Sequence, residues 1–211
     1  MRIQSKEQTS SAFDRWAKWW NWARPVNEAV YQAVISRLTG EHLRVLDVAC
    51  GTGLLGRLLC DAEPGRSVTG VDLSPAMIEQ ARRLSAGYDP SRLRFEQADA
   101  ENLAFPNGSF DAVVNTLSLH HFPNPGVALA QFRRLTREGG RVIIVDVATP
   151  VWFARTYTGI NRVWARWTGQ EWLRTPEEVA DMLAAAGLRV TEVAPVRYFL
   201  PTRVFVSTPS E

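Results

Sequence analysis

Short apolar runs alternate along this chain with longer segments whose apolar residues recur every three or four positions. Apolar runs bounded by glycine, proline or asparagine predict strands, and the periodic segments predict amphipathic helices. Residues 110–119 are almost continuously apolar, which is typical of a strand covered on both faces. The predicted strands are 43–49, 68–73, 93–98, 110–119, 141–148, 188–194 and 203–207. The predicted helices are 13–23, 26–38, 54–60, 75–85, 126–135 and 175–186.

This alternation of strands and helices predicts an α/β fold, a doubly wound and mostly parallel seven-stranded sheet. Ligands of such sheets bind beyond the carboxyl ends of the strands, near the point where the strand order reverses. Asp47, Asp72, Asp99, Asp146 and the segment 115–121 all fall at or near predicted strand ends. We therefore expect the functional site at that edge of the sheet.

The segment 45–53, Val-Leu-Asp-Val-Ala-Cys-Gly-Thr-Gly, is the most informative stretch. An apolar strand that contains Asp47 runs into a turn at Gly51 and Gly53, and nineteen residues after Gly53 a second acid, Asp72, ends the next apolar run. Strand, glycine turn, helix, strand and acid are typical of an adenosine-cofactor site. The glycines let the backbone approach the ligand, and the second acid accepts hydrogen bonds from ribose hydroxyls.

The same turn, 51–56, also matches the dinucleotide fingerprint, which leaves an NAD-dependent enzyme as an alternative. Three features favour a different adenosine cofactor. Asp47 places a negative charge beside the turn that would hold a pyrophosphate. Asp72 leads into the apolar segment 73–77, which opens a helix with a proline at its start. Asp99 ends the next strand, where it can accept a hydrogen bond from an adenine amine.

Together these features resemble the class I S-adenosylmethionine-dependent methyltransferases. Within that family the chain is similar to the group that contains the ubiquinone/menaquinone-biosynthesis enzymes and small phospholipid N-methyltransferases. The segments that carry the resemblance, in the family's order, are 45–53, 70–77, 95–105, 110–123 and 134–147. The resemblance implies S-adenosylmethionine as cofactor and one Rossmann-like methyltransferase domain over 1–211. It also implies a helical N-terminal cover at 1–40 and a helical lid at 150–174, after strand 5.

The cofactor site that this resemblance implies lies at the ends of the first four strands. Asp72 is expected to bind the ribose diol, and Asp47 to act on the cofactor's ammonium group or to brace the glycine turn. Asp99 would contact the adenine edge. The full set of expected cofactor-binding residues is Asp47, Gly51, Gly53, Asp72, Leu73, Met77, Asp99, Ala100 and Asn115.

Three residues are candidates for catalysis. His120 or His121 can remove a proton from an acceptor hydroxyl, because the pKa of histidine lies near working pH; the alternative is that the pair only shapes the loop. Asp146 is polar within an apolar run and can hold an acceptor's cation, a water molecule or a structural contact. Methyl transfer chiefly requires alignment of nucleophile, methyl group and sulfur. No His, Cys and carboxylate spacing indicates a metal site.

The charge distribution and the tryptophans mark two special segments. The net charge is +2, yet residues 1–24 and 150–174 each carry +3, and all eight tryptophans fall within them. Apolar residues from 153 to 167 step by four and three, as on one helix face. Two interpretations remain open: a lid that only walls the acceptor pocket, or a lid that also contacts an anionic membrane surface. The expected substrate-binding residues are Trp16, Trp20, Tyr157 and Trp164.

Length and composition are consistent with one globular domain, and the sequence pattern predicts neither a signal peptide nor a membrane span. We therefore expect a cytoplasmic protein. If the lid also contacts a membrane, we expect that contact to be peripheral, at the inner membrane face. The expected function is methyl transfer to a lipophilic acceptor, a phospholipid amine or a quinone-type lipid, and no nucleic-acid partner is expected. The alternatives are a methyltransferase of soluble aromatic metabolites and a non-catalytic subunit that binds S-adenosylmethionine.

Overall fold

A computed structural model of the protein describes residues 24–149 and 174–210. In chain order its elements are α1 (Arg24–Ile35), β1 (Arg44–Val48), α2 (Leu54–Ala62), β2 (Ser67–Asp72), α3 (Pro75–Leu84), β3 (Leu93–Gln97), β4 (Phe110–Thr116), a 3₁₀ turn (Leu119–His121), α4 (Pro125–Leu135), β5 (Thr136–Val147), α5 (Pro176–Ala185), β6 (Leu188–Val196) and β7 (Thr202–Pro209). The helix predicted at 13–23 and residues 150–173 of the lid predicted at 150–174 lie outside the described residues. So do the four expected substrate residues, Trp16, Trp20, Tyr157 and Trp164.

The seven strands form one sheet in the order β3-β2-β1-β4-β5-β7-β6. Strands β1 to β5 pair in parallel, whereas β7 runs antiparallel to both β5 and β6. The doubly wound, mostly parallel sheet is therefore confirmed. The strand order reverses between β1 and β4, so a cleft is expected where their carboxyl ends diverge.

Apolar side chains cover both faces of the sheet because successive residues of a strand point to opposite sides. On one face Val45 of β1 belongs to a core that includes Val30 and Val34 of α1 and Leu59 of α2. On the other face the next residue, Leu46, packs with Phe132 of α4 and with the interior side of α5. This double coverage explains why the central strands are apolar without alternation.

The end of β4 and the start of β5 differ most from the sequence prediction. Strand β4 ends at Thr116, not at residue 119, because Leu117 has φ 51° and turns the chain away from the sheet. Strand β5 begins at Thr136 rather than 141 and continues through the glycine pair that predicted a turn. Its pairing with β4 shifts register between Phe110 and Ala112, which accommodates that pair as an irregularity within the strand.

No helix among residues 24–149 and 174–210 is long and apolar enough to cross a membrane.

Candidate active site

A pocket of about 1110 Å³, including its open mouth, lies at the carboxyl ends of the parallel strands. Its walls come from the segments that follow β1, β2, β3 and β4, and from one face of α1. The pocket therefore spans the point where the strand order reverses. Six of the nine residues expected to bind a cofactor line it: Gly51, Asp72, Leu73, Met77, Asp99 and Ala100.

The Asp72 carboxylate joins the glycine turn to the start of α3. The Gly51 amide donates to Asp72 Oδ2 at 2.9 Å, and the Ser74 amide donates to Oδ1 at 2.9 Å. The turn itself requires left-handed backbone, since φ is 57° at Ala49 and 54° at Gly51. An ionised carboxylate only accepts hydrogen bonds, so the Asp72 carboxylate is suited to ribose hydroxyls.

Gly53 serves a different purpose from Gly51. It precedes the first residue of α2 with φ 73°, and a Cβ atom there would lie 2.4 Å from Cζ of Phe95. Gly53 does not line the pocket. The missing side chain admits the Phe95 ring between α2 and β3, which sets how closely the helix packs on the sheet. A contact of Gly53 with the cofactor stays a prediction.

The wall beyond β2 and β3 combines an apolar surface with ordered backbone. Leu73 and Met77 line it, and α3 is capped by Ser74, whose Oγ accepts from the Met77 amide at 3.1 Å. Asp99 Oδ1 accepts from the Glu101 amide at 2.9 Å, which fixes the turn that carries Ala100. These residues form a slot with apolar faces and a polar edge, which suits a planar nitrogen heterocycle.

Asp47 and Asn115 lie behind the lining residues. Asp47 is buried, and neither carboxylate oxygen has a hydrogen-bond partner among the described residues. Burial, and secondarily the charge of Asp72, raise the pKa of Asp47 to about 8. Asn115 Nδ2 donates to the Val48 carbonyl at 2.9 Å and to Ser118 Oγ at 2.6 Å, while its Oδ1 has no described partner.

Helix α1 contributes two lining residues that the sequence prediction missed, Asn27 and Tyr31. They are four positions apart and therefore share a helix face. Asn27 Oδ1 is also buried without a described partner. Burial raises the pKa of Tyr31, with a further contribution from Asp47. The spacing within the predicted helix 26–38 was visible in the sequence, but nothing there indicated which face meets the sheet edge.

These unpartnered atoms are Asn27 Oδ1, both oxygens of Asp47, and Asn115 Oδ1, and all of them accept hydrogen bonds when Asp47 is ionised. Buried acceptors without donors are costly, and a buried carboxylate is costlier still. Asn27 lines the pocket and can accept a hydrogen bond from a ligand's cationic N–H group, while Asp47 and Asn115 lie behind the lining. This end of the pocket therefore fits the ammonium group of an amino acid, as the opposite slot fits a nucleobase.

The two histidines after β4 take different positions. His121 lines the pocket, whereas His120 is 8% exposed and lies behind it. His120 Nδ1 is 2.6 Å from Asp146 Oδ1, and the His120 backbone amide donates to Asp146 Oδ2 at 3.1 Å. Asp146 is 2% exposed and does not line the pocket. Its carboxylate is bonded within the protein, which favours the structural contact among the roles expected for it, and a role in catalysis stays a prediction.

Comparison with known proteins decides which family uses this arrangement. Residues 45–140 match a family described as a methyltransferase domain. The chain is 33% identical over 165 residues to the demethylmenaquinone methyltransferase of Thermus thermophilus, across 70% of this chain and 74% of that one. This protein belongs to the class I S-adenosylmethionine-dependent methyltransferases.

A further curated relative agrees with that assignment, and a solved structure shares the fold. The methyltransferase is 31% identical over 196 residues to the ubiquinone biosynthesis O-methyltransferase of Xanthomonas axonopodis pv. citri, across 86% of this chain and 80% of that one. Its fold matches magnesium protoporphyrin IX methyltransferase from Synechocystis PCC 6803 with bound SAH, with TM-score 0.71, 19% identity and 95% of each chain covered. Alignments with curated relatives span 40% to 80% of their length.

S-adenosylmethionine is the cofactor of this methyltransferase. The pocket's chemistry fits it, because the described residues supply a clamp suited to a diol, a slot suited to adenine and unpartnered acceptors suited to an ammonium group. The structure thus brings together the residues expected at the ribose and adenine, and it adds Asn27 and Tyr31. It places Gly53, Asp47 and Asn115 outside the lining itself.

Proposed function

We propose that this methyltransferase moves the methyl group of S-adenosylmethionine to a lipophilic acceptor, a quinone-type lipid or a phospholipid amine. The supporting observation is the combination of the donor site with three apolar lining residues after β4, Leu117, Phe122 and Pro123, which lie in the same segment as the polar lining residues Ser118 and His121. The names of the Thermus and Xanthomonas relatives, which refer to menaquinone and ubiquinone chemistry, point to the same acceptor class.

In this proposal the bound cofactor supplies a sulfonium-linked methyl group. The residues of the chain bind the cofactor and orient the acceptor. Asp72 receives the ribose hydroxyls, and Asp99 with the Ala100 backbone receives the adenine edge. Asp47, supported by Asn115, neutralises the ammonium group. The acceptor enters past Leu117 and Phe122, where an apolar surface excludes water and aligns its nucleophilic atom with the methyl group.

A direct test offers the purified protein tritiated S-adenosylmethionine and three acceptors under the same conditions. These are a short-chain reduced naphthoquinone, phosphatidylethanolamine in detergent micelles, and a small water-soluble catechol. We expect methyl transfer to one of the two lipophilic acceptors with kcat/KM at least about tenfold above the catechol, since buried apolar area stabilises bound acceptor. Preference for the catechol would favour a soluble aromatic metabolite, and binding of the donor without any transfer would favour a non-catalytic role.

We also propose peripheral contact with anionic membrane through the Trp- and Arg-rich segment 150–174, on its sequence pattern alone. Sedimentation with vesicles of phosphatidylglycerol and phosphatidylcholine tests this. Wild type should pellet with the anionic vesicles, and Trp164→Ala combined with Arg162→Ala should reduce the bound fraction. Failure of wild type to pellet, or an unchanged bound fraction for the double variant, would contradict membrane contact and leave the donor and acceptor assignments standing.

A further inference from the structure

The 3₁₀ turn Leu119–His121 holds two imidazole rings against each other at the edge of the pocket. The ring centroids of His120 and His121 are 4.0 Å apart, and the ring planes are inclined by 45°. His121 faces the pocket with Leu117 and Phe122, and His120 is buried behind it. The orientation of the buried ring therefore restricts the orientation of the ring that meets the acceptor.

Asp146 fixes the buried ring in one tautomer. Burial would raise the pKa of Asp146, but His120 and two backbone amides, those of His120 and Val147, bring it below its ordinary value. The carboxylate is therefore ionised and can only accept hydrogen bonds, so His120 Nδ1 must carry the hydrogen at the 2.6 Å contact. The Val147 amide donates to the same Oδ1 at 2.7 Å, which holds the carboxylate in place from β5.

The turn forms more hydrogen bonds with Asp146 than are needed to attach it to β5. The backbone bond from the His120 amide to Asp146 Oδ2, at 3.1 Å, already attaches the turn to β5. The additional bond to the ring orders a side chain, and it does so directly beneath a pocket-lining histidine. A buried ionised carboxylate is costly without several donors, and here the donors are arranged around the imidazole.

We infer that His121 is the catalytic base of methyl transfer, that His120 and Asp146 are its positioning residues, and that the acceptor reacts through the weakly acidic hydroxyl of a phenol or quinol. The inference rests on the proposed function and narrows it, because it selects the quinol-type acceptor over the phospholipid amine. His121 takes the hydroxyl proton, and the oxygen's electron pair forms the new bond to the methyl carbon. The electrons of the broken C–S bond stay on sulfur, which becomes a neutral thioether, and the proton on His121 leaves to solvent.

The other titratable groups that line the pocket within residues 24–149 and 174–210 do not suit this task. They are Tyr31, Cys50, Asp72, Asp99 and Glu101. Burial raises the pKa of Tyr31 and of Cys50, so both stay protonated near neutral pH. The three carboxylates follow β2 and β3 and are bonded to backbone amides, Asp72 to Gly51 and Ser74, Asp99 to Glu101, and Glu101 to Asn124. His121 follows β4, on the wall assigned to the acceptor.

The test compares His121→Ala with wild type, using the short-chain reduced naphthoquinone as acceptor. We expect kcat to fall about 100-fold or more, as when a general base is removed, while the Kd for S-adenosylmethionine changes less than about twofold. Added imidazole should restore part of the lost rate, which it would not do if the side chain only shaped the loop. His42→Asn is the matched control, because His42, one of three histidines, precedes β1 at the opposite end of the sheet.

The positioning residues are tested by pH profiles of kcat/KM. Asp146→Asn removes a negative charge near the base, so the acidic limb should move to lower pH; a structural role alone would lower the rate equally at every pH. His120→Asn keeps a donor toward Asp146 and should retain more activity than His120→Ala. If Asp146→Asn does not fold, the comparison of His120→Asn with His120→Ala tests the positioning role instead.

Several outcomes would overturn the inference. These are kcat of His121→Ala within about threefold of wild type, no rescue by imidazole, an acidic limb that stays in place, or equal rates for the two His120 variants. Methylation of phosphatidylethanolamine but not of the quinol would overturn it too, while leaving lipophilic methyl transfer intact. Absence of transfer by wild type to any acceptor, with the donor bound, would overturn the proposed function and this inference together.

Discussion

Asp111 shows how one carboxylate can hold a strand in place. It accepts from the backbone amides of Leu43 and Arg44 at 3.1 and 2.7 Å, and from the guanidinium groups of Arg44 and Arg137 at 3.1 and 2.8 Å. Burial alone would raise the pKa of Asp111, but the side chain and backbone amide of Arg44 and the side chain of Arg137 lower it to about 2. Asp111 thus connects the start of β1 with β4 and β5 at the edge of the sheet opposite the pocket.

We predict that Asp111→Asn lowers the free energy of unfolding by about 2 kcal/mol at pH 7, because a pKa lowered by one unit corresponds to about 1.4 kcal/mol. The folded pKa lies below the unfolded value, so the contribution is complete above about pH 4 and disappears as the pH falls through about 2. Urea unfolding of wild type and Asp111→Asn at pH 7 and pH 3 measures this contribution. The difference in free energy of unfolding between the two proteins should be roughly half as large at pH 3 as at pH 7. Asp181→Asn, at an exposed aspartate, is the control; equal losses for both variants would contradict the prediction.

Residues with chemical motifs were easier to predict than residues whose role depends on packing. Asp72 and Gly51 were predictable because an acid after β2 and a glycine after β1 have few other uses in this pattern. Asn27 and Tyr31 were not, because their importance arises only when α1 lies across the ends of the strands. Asp146 was recognised as unusual, but its partner His120 is 26 residues away in sequence and is set by the pairing of β4 with β5.

At the level of elements, the contact between α2 and β3 depends on Gly53. We predict that Gly53→Ala destabilises the protein by at least about 1–2 kcal/mol, since φ is 73° and the new Cβ would overlap the Phe95 ring. The affinity for S-adenosylmethionine should also fall, because Gly53 follows the turn that carries Gly51. Thermal unfolding and calorimetric titration measure the two effects.

Gly126 provides the matched control for this substitution. It lies in the first turn of α4, where an added Cβ meets nothing within 4 Å. Gly126→Ala should therefore leave stability unchanged or raise it by up to about 1 kcal/mol, because alanine loses less entropy in a helix. Equal stability changes for the two glycine variants would show that α2 and β3 do not need the close approach.

The sequence predicted the existence and order of the described elements well, and it predicted their ends less well. Gly139 and Gly140 indicated a turn, yet β5 continues through them, because Gly140 packs where a Cβ would be 2.7 Å from the Asp111 carbonyl oxygen. Leu117 was predicted inside β4 because it is apolar, whereas its φ of 51° ends the strand. The ends of these strands depend on contacts with neighbouring strands, and the local pattern of apolar and polar residues does not indicate those contacts.

Across the whole molecule, cofactor binding and proton binding are linked through Asp47. Burial, together with Asp72, raises the pKa of Asp47 to about 8, so the carboxyl is largely protonated at pH 7 in the free protein. An ammonium group bound beside it favours the ionised form, so binding of S-adenosylmethionine should release a proton. We predict that about 0.9 proton is released per cofactor bound at pH 7. The measurement is calorimetric titration in several buffers, where the binding enthalpy should depend on the ionisation enthalpy of the buffer.

Asp47→Asn serves as the control for this linkage. The variant should bind S-adenosylmethionine more weakly and without proton release. Because the folded pKa lies above the unfolded one, Asp47 lowers the stability of the free protein increasingly as the pH rises from about 4 to 8. The variant should therefore gain stability over wild type across that range. A binding enthalpy that is independent of the buffer would contradict the placement of the ammonium group at Asp47.

The most direct test of the donor site is calorimetric titration of S-adenosylmethionine into wild type, Asp72→Ala and the surface control Asp181→Ala. Asp72 closes β2, holds the Gly51 amide at 2.9 Å and faces the pocket, so its loss removes charge-assisted bonds to the ribose and loosens the turn. We predict that Asp72→Ala weakens binding about 10- to 100-fold, as expected for hydrogen bonds to a charged group, and that Asp181→Ala binds like wild type. Unchanged affinity in Asp72→Ala would contradict a ribose site at the end of β2.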